Sequence, residues 1–136
     1  MSFVLDASVT AAWCFPDERT DYTEAVLEAV ASATEAHVPT LWKYEVNNVV
    51  LKGLRRDRIV LSQAQRFLNA ISRLRIRLTE TQYDSTLATA LQYSLTFYDA
   101  AYLDLARREG LALASLDGQL REAARQAGVP LYRENG

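Results

Sequence analysis

Short apolar runs alternate with longer helical segments along this chain, and this alternation limits the folds that it can adopt. The strand candidates lie at residues 2–6, 36–38, 75–79, 111–115 and 129–132. The helix candidates lie at residues 7–14, 21–33, 41–56, 63–73, 82–94, 97–109 and 118–127. Short strands separated by helices are typical of a parallel sheet that is covered on both faces. The pattern predicts a three-layer α/β/α sandwich whose central, mostly parallel sheet has about five strands.

Local signals predict where several of these elements begin and end. Ser62 and Gln65 have the spacing of a capping box, so we expect the helix 63–73 to begin after them. Gly110 is expected to end the helix 97–109. Pro130 cannot donate a hydrogen bond to a neighbouring strand, so the segment 129–132 is expected to be an edge strand.

The composition is that of an ordinary globular domain. The chain has 136 residues, of which 49% are apolar and 24% charged, so we expect a single domain over residues 1–136. We find no apolar run long enough to cross a membrane and no secretion signal at the N-terminus, and we expect a cytoplasmic protein. With one cysteine, Cys14, and one histidine, His37, an internal disulfide and a Cys/His zinc set are excluded. Any bound metal would therefore have oxygen ligands.

Two acidic residues follow predicted strands. Asp6 ends the first strand, and Asp117 lies two residues after the strand 111–115. In open α/β sheets the functional crevice lies at the carboxyl ends of the strands, so both acids are expected at the same edge. An alternative for Asp117 is a cap on the helix that follows it. A capping role is a weaker alternative for Asp6, because Ser8 could cap the next helix instead.

Two further acids lie on helix faces that are otherwise apolar. Glu45 falls within the apolar stripe of the helix 41–56, and Asp99 lies in the first turn of the helix 97–109. Glu45 could instead reach water at the edge of the stripe or pair with an arginine. Asp99 could instead form a capping box with Thr96.

The four acids have a common physical meaning if the fold brings them together. Carboxylates that approach one another repel, and the cluster is tolerable only if some take up protons or if a divalent cation neutralises them. Mg²⁺ and Mn²⁺ prefer such oxygen ligands. The positions of these residues therefore favour a metal site formed by Asp6, Glu45, Asp99 and Asp117.

Four motifs carry a resemblance to a known family. The segments VLDASV, YEVNNVV, YDAAYLDLA and SLDGQL occur in this order over nearly the whole chain. In these motifs the chain resembles PIN-domain proteins, and in its length it resembles the VapC-type toxin ribonucleases of toxin–antitoxin modules. The resemblance implies that the four acids form the metal site and that Ser8 and Ser115 support it with their hydroxyl groups. Many relatives have threonine where this chain has Ser115.

The resemblance also implies a function and partners. We expect an endoribonuclease that hydrolyses RNA phosphodiester bonds with Mg²⁺ or Mn²⁺, the toxin of a type II toxin–antitoxin system. The family implies a homodimer and a cognate VapB-type antitoxin that forms a larger assembly with it, its C-terminal segment reaching into the acidic groove. The alternative is a non-catalytic PIN-fold module that binds RNA or protein. A receiver domain or a haloacid dehalogenase-type phosphatase would need a second acid beside Asp6, which this chain lacks.

Basic and aromatic residues are candidates for RNA contacts. The basic candidates are Lys43, Lys52, Arg55, Arg56 and Arg58, and their alternative is a solvated surface with ordinary ion pairs. The aromatic candidates are Trp13, Phe15, Trp42 and Tyr44, and their alternative is the core or a subunit contact. Val9, Ala12 and Trp13, together with the helices between residues 41 and 73, could form a dimer or antitoxin surface.

Overall fold

A computed structural model describes residues 1–133, and its centre is a parallel β-sheet. The strands of the described residues are β1 (Phe3–Leu5), β2 (Ala36–Pro39), β3 (Ile76–Thr79) and β4 (Ala112–Ala114). Their order across the sheet is β3-β2-β1-β4, and every neighbouring pair is parallel. The three residues of β1 are apolar and fully buried, as expected for a central strand that is covered on both faces.

Helices cover both faces of this sheet, which confirms the predicted α/β/α sandwich. They are α1 (Ala7–Cys14), α2 (Asp21–Ser32), α3 (Leu41–Arg55), α4 (Leu61–Ile71), α5 (Tyr83–Tyr93), α6 (Phe97–Glu109) and α7 (Gly118–Gln126). Helix α6 packs across β1, β2 and β4 and contacts α5 and α7, whereas α1 contacts α2 and α3. Within residues 1–133, no helix combines the length and apolar character needed to cross a lipid bilayer.

The expected fifth strand at residues 129–132 is reduced to a single bridge. Leu131 forms an isolated parallel bridge with Leu113 of β4, and the backbone N–H of Leu113 donates to the carbonyl of Pro130 at 2.9 Å. Pro130 has no N–H to extend this ladder, and Arg133 adopts a left-handed backbone conformation with a φ of 52°. The sheet therefore has four strands within the described residues, and the C-terminal segment only lines its edge.

The predicted start of the fourth helix is wrong by two residues. Helix α4 begins at Leu61, so Ser62 lies in its first turn instead of before it. The side chain that serves the helix start is Gln63, whose Oε1 accepts a hydrogen bond from the backbone N–H of Val60 at 2.9 Å. Gln63 and Val60 have the same three-residue spacing as the predicted pair, which explains the error in register.

The large aromatic residues divide into core and surface. Trp13, Phe15 and Trp42 are buried in the core of the single chain, whereas Tyr44 is exposed. Val9 and Ala12 are also fully buried, so they cannot contribute to a surface for a partner.

The order of the strands identifies the functional edge of the sheet. The chain builds the sheet outward from β1 through β2 to β3 and then returns to place β4 on the other side of β1. In open α/β sheets ligands bind at the carboxyl ends of the strands where the order reverses in this way. Here that position lies beyond the ends of β1 and β4, where Asp6 and Asp117 follow the two strands.

Candidate active site

Asp6 lies directly after β1 and is almost completely buried. Its Oδ2 accepts hydrogen bonds from the hydroxyl groups of Ser8 at 2.6 Å and Ser115 at 2.7 Å. Burial raises the pKa of this carboxyl group, and the nearby charge of Asp117 adds to the rise, while the hydrogen bonds from Ser8, Ser115 and the backbone of Ala7 oppose it. Asp6 is thus a buried acid whose position is held by two hydroxyl groups.

The same two serines connect the ends of β1 and β4. The Ser8 hydroxyl accepts a hydrogen bond from the backbone N–H of Leu116 at 2.9 Å. The Ser115 hydroxyl accepts one from the backbone N–H of Asp117 at 3.0 Å. Ser8 therefore does not cap α1. Both serines instead join Asp6 to the loop that carries Asp117.

Asp117 is the residue that caps α7. Its Oδ1 accepts a hydrogen bond from the backbone N–H of Leu120 at 2.9 Å, so the structural alternative considered for this acid is realised. Its second carboxylate oxygen accepts no hydrogen bond within residues 1–133. A cap uses one oxygen and leaves the other available, so the capping role does not exclude a role in a site.

Glu45 is half-buried on α3 and is held by a tyrosine that is not among the site residues predicted from the sequence. The hydroxyl group of Tyr102, on α6, donates to Glu45 Oε1 at 2.6 Å. Glu45 forms no ion pair in the part of the chain that the structure describes, so the expected alternative of an arginine partner is not realised. Tyr102 lies three residues after Asp99, on the same face of α6, and this spacing is the signal that could have identified it.

Asp99 lies in the first turn of α6. The hydroxyl group of Thr96 accepts a hydrogen bond from the backbone N–H of Asp99 at 3.1 Å and caps the helix. The Asp99 carboxylate does not complete the capping box, and up to Arg133 no residue donates a hydrogen bond to it. The pKa of Asp99 is raised from 3.8 to about 6 by burial and by the charges of Asp117 and Asp6.

The four acids form one electrostatic cluster. Burial is the largest cause of the raised pKa of Glu45, and the charges of Asp6 and Asp99 raise it further. The charges of Asp117 and Asp6 likewise raise the pKa of Asp99, and the charge of Asp117 raises the pKa of Asp6. Within the described residues, no lysine or arginine forms an ion pair with any of these acids. The fold thus brings together acids that follow β1, lie on α3 and α6 and precede α7, and residues 1–133 supply no positive charge that pairs with them.

The donor set of this acidic cluster fits a hard divalent cation. Within residues 1–133 no three His, Cys, Asp or Glu side chains already have the arrangement of a metal site. The ligands present are carboxylates only, and oxygen atoms of Glu45, Asp99 and Asp117 have no protein partner there. Mg²⁺ and Mn²⁺ take such ligands. The side chains would have to turn toward a shared ion.

Asp104 is a buried acid with a structural role, and its carboxylate has a complete set of partners. Its carboxylate accepts hydrogen bonds from Ser85 at 2.8 Å, Thr86 at 3.0 Å and Thr89 at 3.3 Å, all on α5. Arg108, one turn later on α6, forms an ion pair with it at 2.9 Å. Asp104 thus has a positive partner, whereas the four acids of the cluster have none among the residues up to Arg133.

The basic candidates do not surround the acidic cluster. Lys43 is exposed and lies two residues before Glu45 at the start of α3. Arg55 lies ten residues after Glu45, about 15 Å further along the helix, and Lys52 and Arg56 are near it. These four residues form no ion pair in the described chain.

Arg58 has structural partners. Its guanidinium group forms ion pairs with Asp17 at 3.1 Å and Glu18 at 2.9 Å. It also lies 4.0 Å from the centre of the Phe15 ring. These contacts account for Arg58 without RNA.

Comparison of the sequence with models of known protein families identifies the family of this chain. The model of the PIN domain matches residues 3–126. The chain belongs to the PIN domain family. A relative of this PIN domain, Ribonuclease VapC3 from Pyrobaculum aerophilum, is 37% identical over 126 residues, which cover 90% of this chain and 94% of the relative. Exonuclease VapC9 from the same organism is 34% identical over 77 residues, which cover 57% of this chain and 58% of that protein.

Solved structures share the fold of this PIN domain. The crystal structure of PAE2754 from Pyrobaculum aerophilum superposes with a TM-score of 0.72 at 25% identity, and the match covers 90% of this chain and 79% of that one. The VapBC2 structure from Rickettsia felis, bound to a DNA fragment from its promoter, matches with a TM-score of 0.66 at 16% identity. That match covers 96% of this chain and 97% of the other.

Proposed function

We propose that this PIN domain is a metal-dependent endoribonuclease that hydrolyses RNA phosphodiester bonds, the toxin of a type II toxin–antitoxin system. The observation that carries the proposal is the cluster of Asp6, Glu45, Asp99 and Asp117 at the reversal point of the sheet, where no lysine or arginine of residues 1–133 forms an ion pair with them. The similarity to Ribonuclease VapC3 supports the choice of RNA as substrate.

In this proposal Asp6 and Asp99 hold Mg²⁺ or Mn²⁺ directly, and Glu45 and Asp117 complete the site directly or through water. When bound, the cation supplies an acidified water and neutralises charge on the phosphate and the leaving oxygen. Glu45 or Asp117 orients the attacking water.

Other residues hold these ligands in position. Ser8 and Ser115 hold Asp6 through its Oδ2, and Tyr102 fixes one oxygen of Glu45. Such partners of metal ligands set the orientation of the ligands and contribute to their affinity. Among the basic candidates Lys43 lies nearest in sequence to an acid of the cluster, and we assign it a contact with the RNA backbone.

The proposed partners are a second copy of the chain and an antitoxin. We propose a cognate VapB-type antitoxin and a homodimer that forms a larger assembly with it. Toxin–antitoxin complexes from Rickettsia felis and Klebsiella pneumoniae share the fold and support this proposal. An antitoxin segment that places a positive side chain among the four acids would compete with the cation and silence the enzyme.

The test is cleavage of RNA by the purified full-length chain, separated from any bound partner. Structured and unstructured RNAs are incubated with MgCl₂, MnCl₂ or EDTA. Asp6→Asn and Asp99→Asn are expected to abolish cleavage while the protein stays folded, because each removes a metal ligand. Asp84→Asn is the matched control, since Asp84 is an exposed acid in the first turn of α5.

Three outcomes contradict the proposal. Cleavage that persists in EDTA excludes the metal mechanism, and cleavage by Asp6→Asn at the wild-type rate excludes this site or reveals a contaminant. If the wild-type protein binds RNA but no metal supports cleavage, the non-catalytic binding module is the correct function.

A further inference from the structure

A group of exposed aromatic rings lies beside the acidic cluster and has no role in the proposed chemistry. Tyr44, Tyr83, Phe97 and Tyr98 line one cavity of about 350 Å³ together with Thr40, Leu41, Glu80 and Thr81. The rings come from the start of α3, the start of α5 and the start of α6. We name this cavity the aromatic cavity.

The exposure of these rings is large. Tyr44 is 70% exposed, Tyr83 79%, Tyr98 63% and Phe97 38%. Aromatic side chains contribute much apolar surface, and exposed groups of them mark a binding surface more often than isolated ones do. The other large aromatic candidates, Trp13, Phe15 and Trp42, are in the core. The fold thus separates aromatic residues that stabilise it from those that it leaves accessible.

The aromatic cavity adjoins the acidic cluster through the chain itself. Tyr44 directly precedes Glu45 on α3, and Tyr98 directly precedes Asp99 on α6. Neighbouring Cα atoms are about 3.8 Å apart, and consecutive helical side chains point about 100° apart. The aromatic cavity therefore lies next to the acids, within reach of a nucleotide that neighbours a phosphate bound at them.

The chemistry of the lining favours a nucleobase. The residues that line the cavity include no lysine or arginine, so the cavity does not suit a phosphate group. Aromatic rings stack on bases of any sequence, and the Glu80 carboxylate and Thr81 hydroxyl can accept hydrogen bonds from base amino groups. A purely apolar partner surface is better matched by Leu87 and Leu91, which are exposed on α5 outside this cavity.

We propose that the aromatic cavity is a subsite that stacks an unpaired base of a single-stranded RNA next to the scissile phosphate. This inference rests on the proposed function, because it assumes that the phosphate is held at the acidic cluster. A base can enter the cavity only when it is not stacked in a duplex, so the subsite selects single-stranded or looped RNA. Glu80 favours a base that carries an amino group.

The test measures binding of a short labelled single-stranded RNA of mixed sequence by fluorescence anisotropy. Every protein carries Asp6→Asn so that the RNA stays intact, and MnCl₂ is present throughout. Tyr98→Ala and Tyr44→Ala are expected to raise Kd by about 5- to 150-fold, the effect of losing one stacked base. Tyr98→Phe keeps the ring and should bind as the parent does. Leu91→Ala is the control for an exposed apolar residue outside the aromatic cavity.

Abasic nucleotides placed at each RNA position in turn make the test specific for a base. When the abasic nucleotide is at the position that enters the cavity, the Kd of this RNA for the parent protein should equal the Kd of the intact RNA for Tyr98→Ala. Combining the two changes should cause no further loss, because both remove the same contact. A double-stranded version of the RNA should bind the parent and Tyr98→Ala equally.

Two results overturn the inference. Unchanged Kd in both Tyr98→Ala and Tyr44→Ala shows that the rings do not contact RNA. Equal losses in these variants and in Leu91→Ala, together with a change of sedimentation, show that the surface belongs to a protein partner such as a second copy of the chain.

The proposed function and the inference can fail separately. If the chain without Asp6→Asn cleaves RNA and Tyr98→Ala leaves KM unchanged, the inference is wrong and the nuclease stands. If the ring-dependent and base-dependent binding is observed but no metal supports cleavage, the base subsite stands and the nuclease is wrong.

Discussion

At the scale of the residue, the acids of the cluster differ in what already holds them. Asp6 is held by two hydroxyl groups, Glu45 by Tyr102 and Asp117 by its helix cap. Asp99 has no such partner in the described chain, and its raised pKa reflects burial and the charges of its neighbours. Among the four acids, ionised Asp99 is therefore the one that most clearly lowers the free energy of unfolding of the metal-free protein.

Because ionised Asp99 destabilises the fold, the effect of Asp99→Asn on the free energy of unfolding depends on pH. The folded protein binds a proton at Asp99 up to about pH 6, whereas the ordinary pKa is 3.8, so the wild type loses stability as the pH rises between these values. Asp99→Asn should therefore raise the midpoint of thermal unfolding in EDTA at pH 8, and the gain should shrink below pH 6 and vanish near pH 4. Asp84→Asn, the exposed control, should show no such trend. An equal gain for Asp99→Asn at every pH would contradict the electrostatic cause.

Tyr102 acts on the site through Glu45, so removing only its hydroxyl group tests this contact. Tyr102→Phe keeps the buried ring and should lower both kcat/KM for RNA and the apparent affinity for Mn²⁺ by about 10- to 100-fold, as is usual when a partner of a metal ligand is lost. Tyr93→Phe is the control, because the Tyr93 hydroxyl has no hydrogen bond within residues 1–133. Wild-type kinetics in Tyr102→Phe would show that Glu45 does not depend on this bond.

At the scale of the element, α5 and α6 are joined by a buried acid that is fully compensated. Asp104 has three hydroxyl donors on α5 and an ion pair with Arg108 on α6. Asp6 is about as buried but forms no ion pair within residues 1–133. The same substitution should therefore affect the two positions in opposite directions.

Asp104→Asn should lower the free energy of unfolding by about 1.5–3 kcal/mol, because it removes the charge that pairs with Arg108 within α6 and that accepts the hydrogen bonds from α5. Asp6→Asn should leave the free energy of unfolding in EDTA unchanged or raise it, since repulsion within the acidic cluster is relieved. Urea denaturation of both variants and the wild type measures the difference. Equal destabilisation by the two substitutions would mean that Asp6 is a structural acid like Asp104.

The predicted elements agree with the structure where a local pattern decides them. The alternation of strands and helices follows from the spacing of apolar residues, and the end of α6 at Gly110 follows from its left-handed backbone, with a φ of 65°. The start of α4 was misplaced because two pairs of residues have the same capping spacing. The fifth strand was overestimated because Pro130 has no N–H for the ladder and Arg133 turns into the left-handed region, which leaves only the bridge between Leu131 and Leu113.

At the scale of the whole molecule, the four acids and the two serines could be named from the sequence and its family resemblance, but the hydrogen bonds that connect them could not. Glu45 interrupts an apolar helix face, and Asp6 and Asp117 follow predicted strands, features that can be read from the sequence alone. The bond between Tyr102 and Glu45 and the two bonds from serines to the loop after β4 depend on which strands become neighbours. Strand order depends on how all the elements pack together. Tyr102 lies among apolar residues of α6, so its hydroxyl group does not stand out in the sequence.

A divalent cation should stabilise the whole molecule, because its ligands come from elements that are far apart in the chain. MnCl₂ at about ten times its Kd should raise the midpoint of thermal unfolding at pH 8 by roughly 3–8 °C relative to EDTA. Asp6→Asn should lose most of this rise, and Asp84→Asn should keep it. The same rise in Asp6→Asn and in the wild type would place the ion elsewhere.

The position of β4 beside β1 has a consequence for the protein during its synthesis. Strand β1 is paired on its second edge only after β4, the last strand of the sheet along the described residues, has been synthesised. Ser115 and Asp117 arrive with β4, so Asp6 lacks one of its two hydroxyl donors until that point of synthesis. Under the proposed function, a nascent chain that has not yet reached β4 has an incomplete site and no activity.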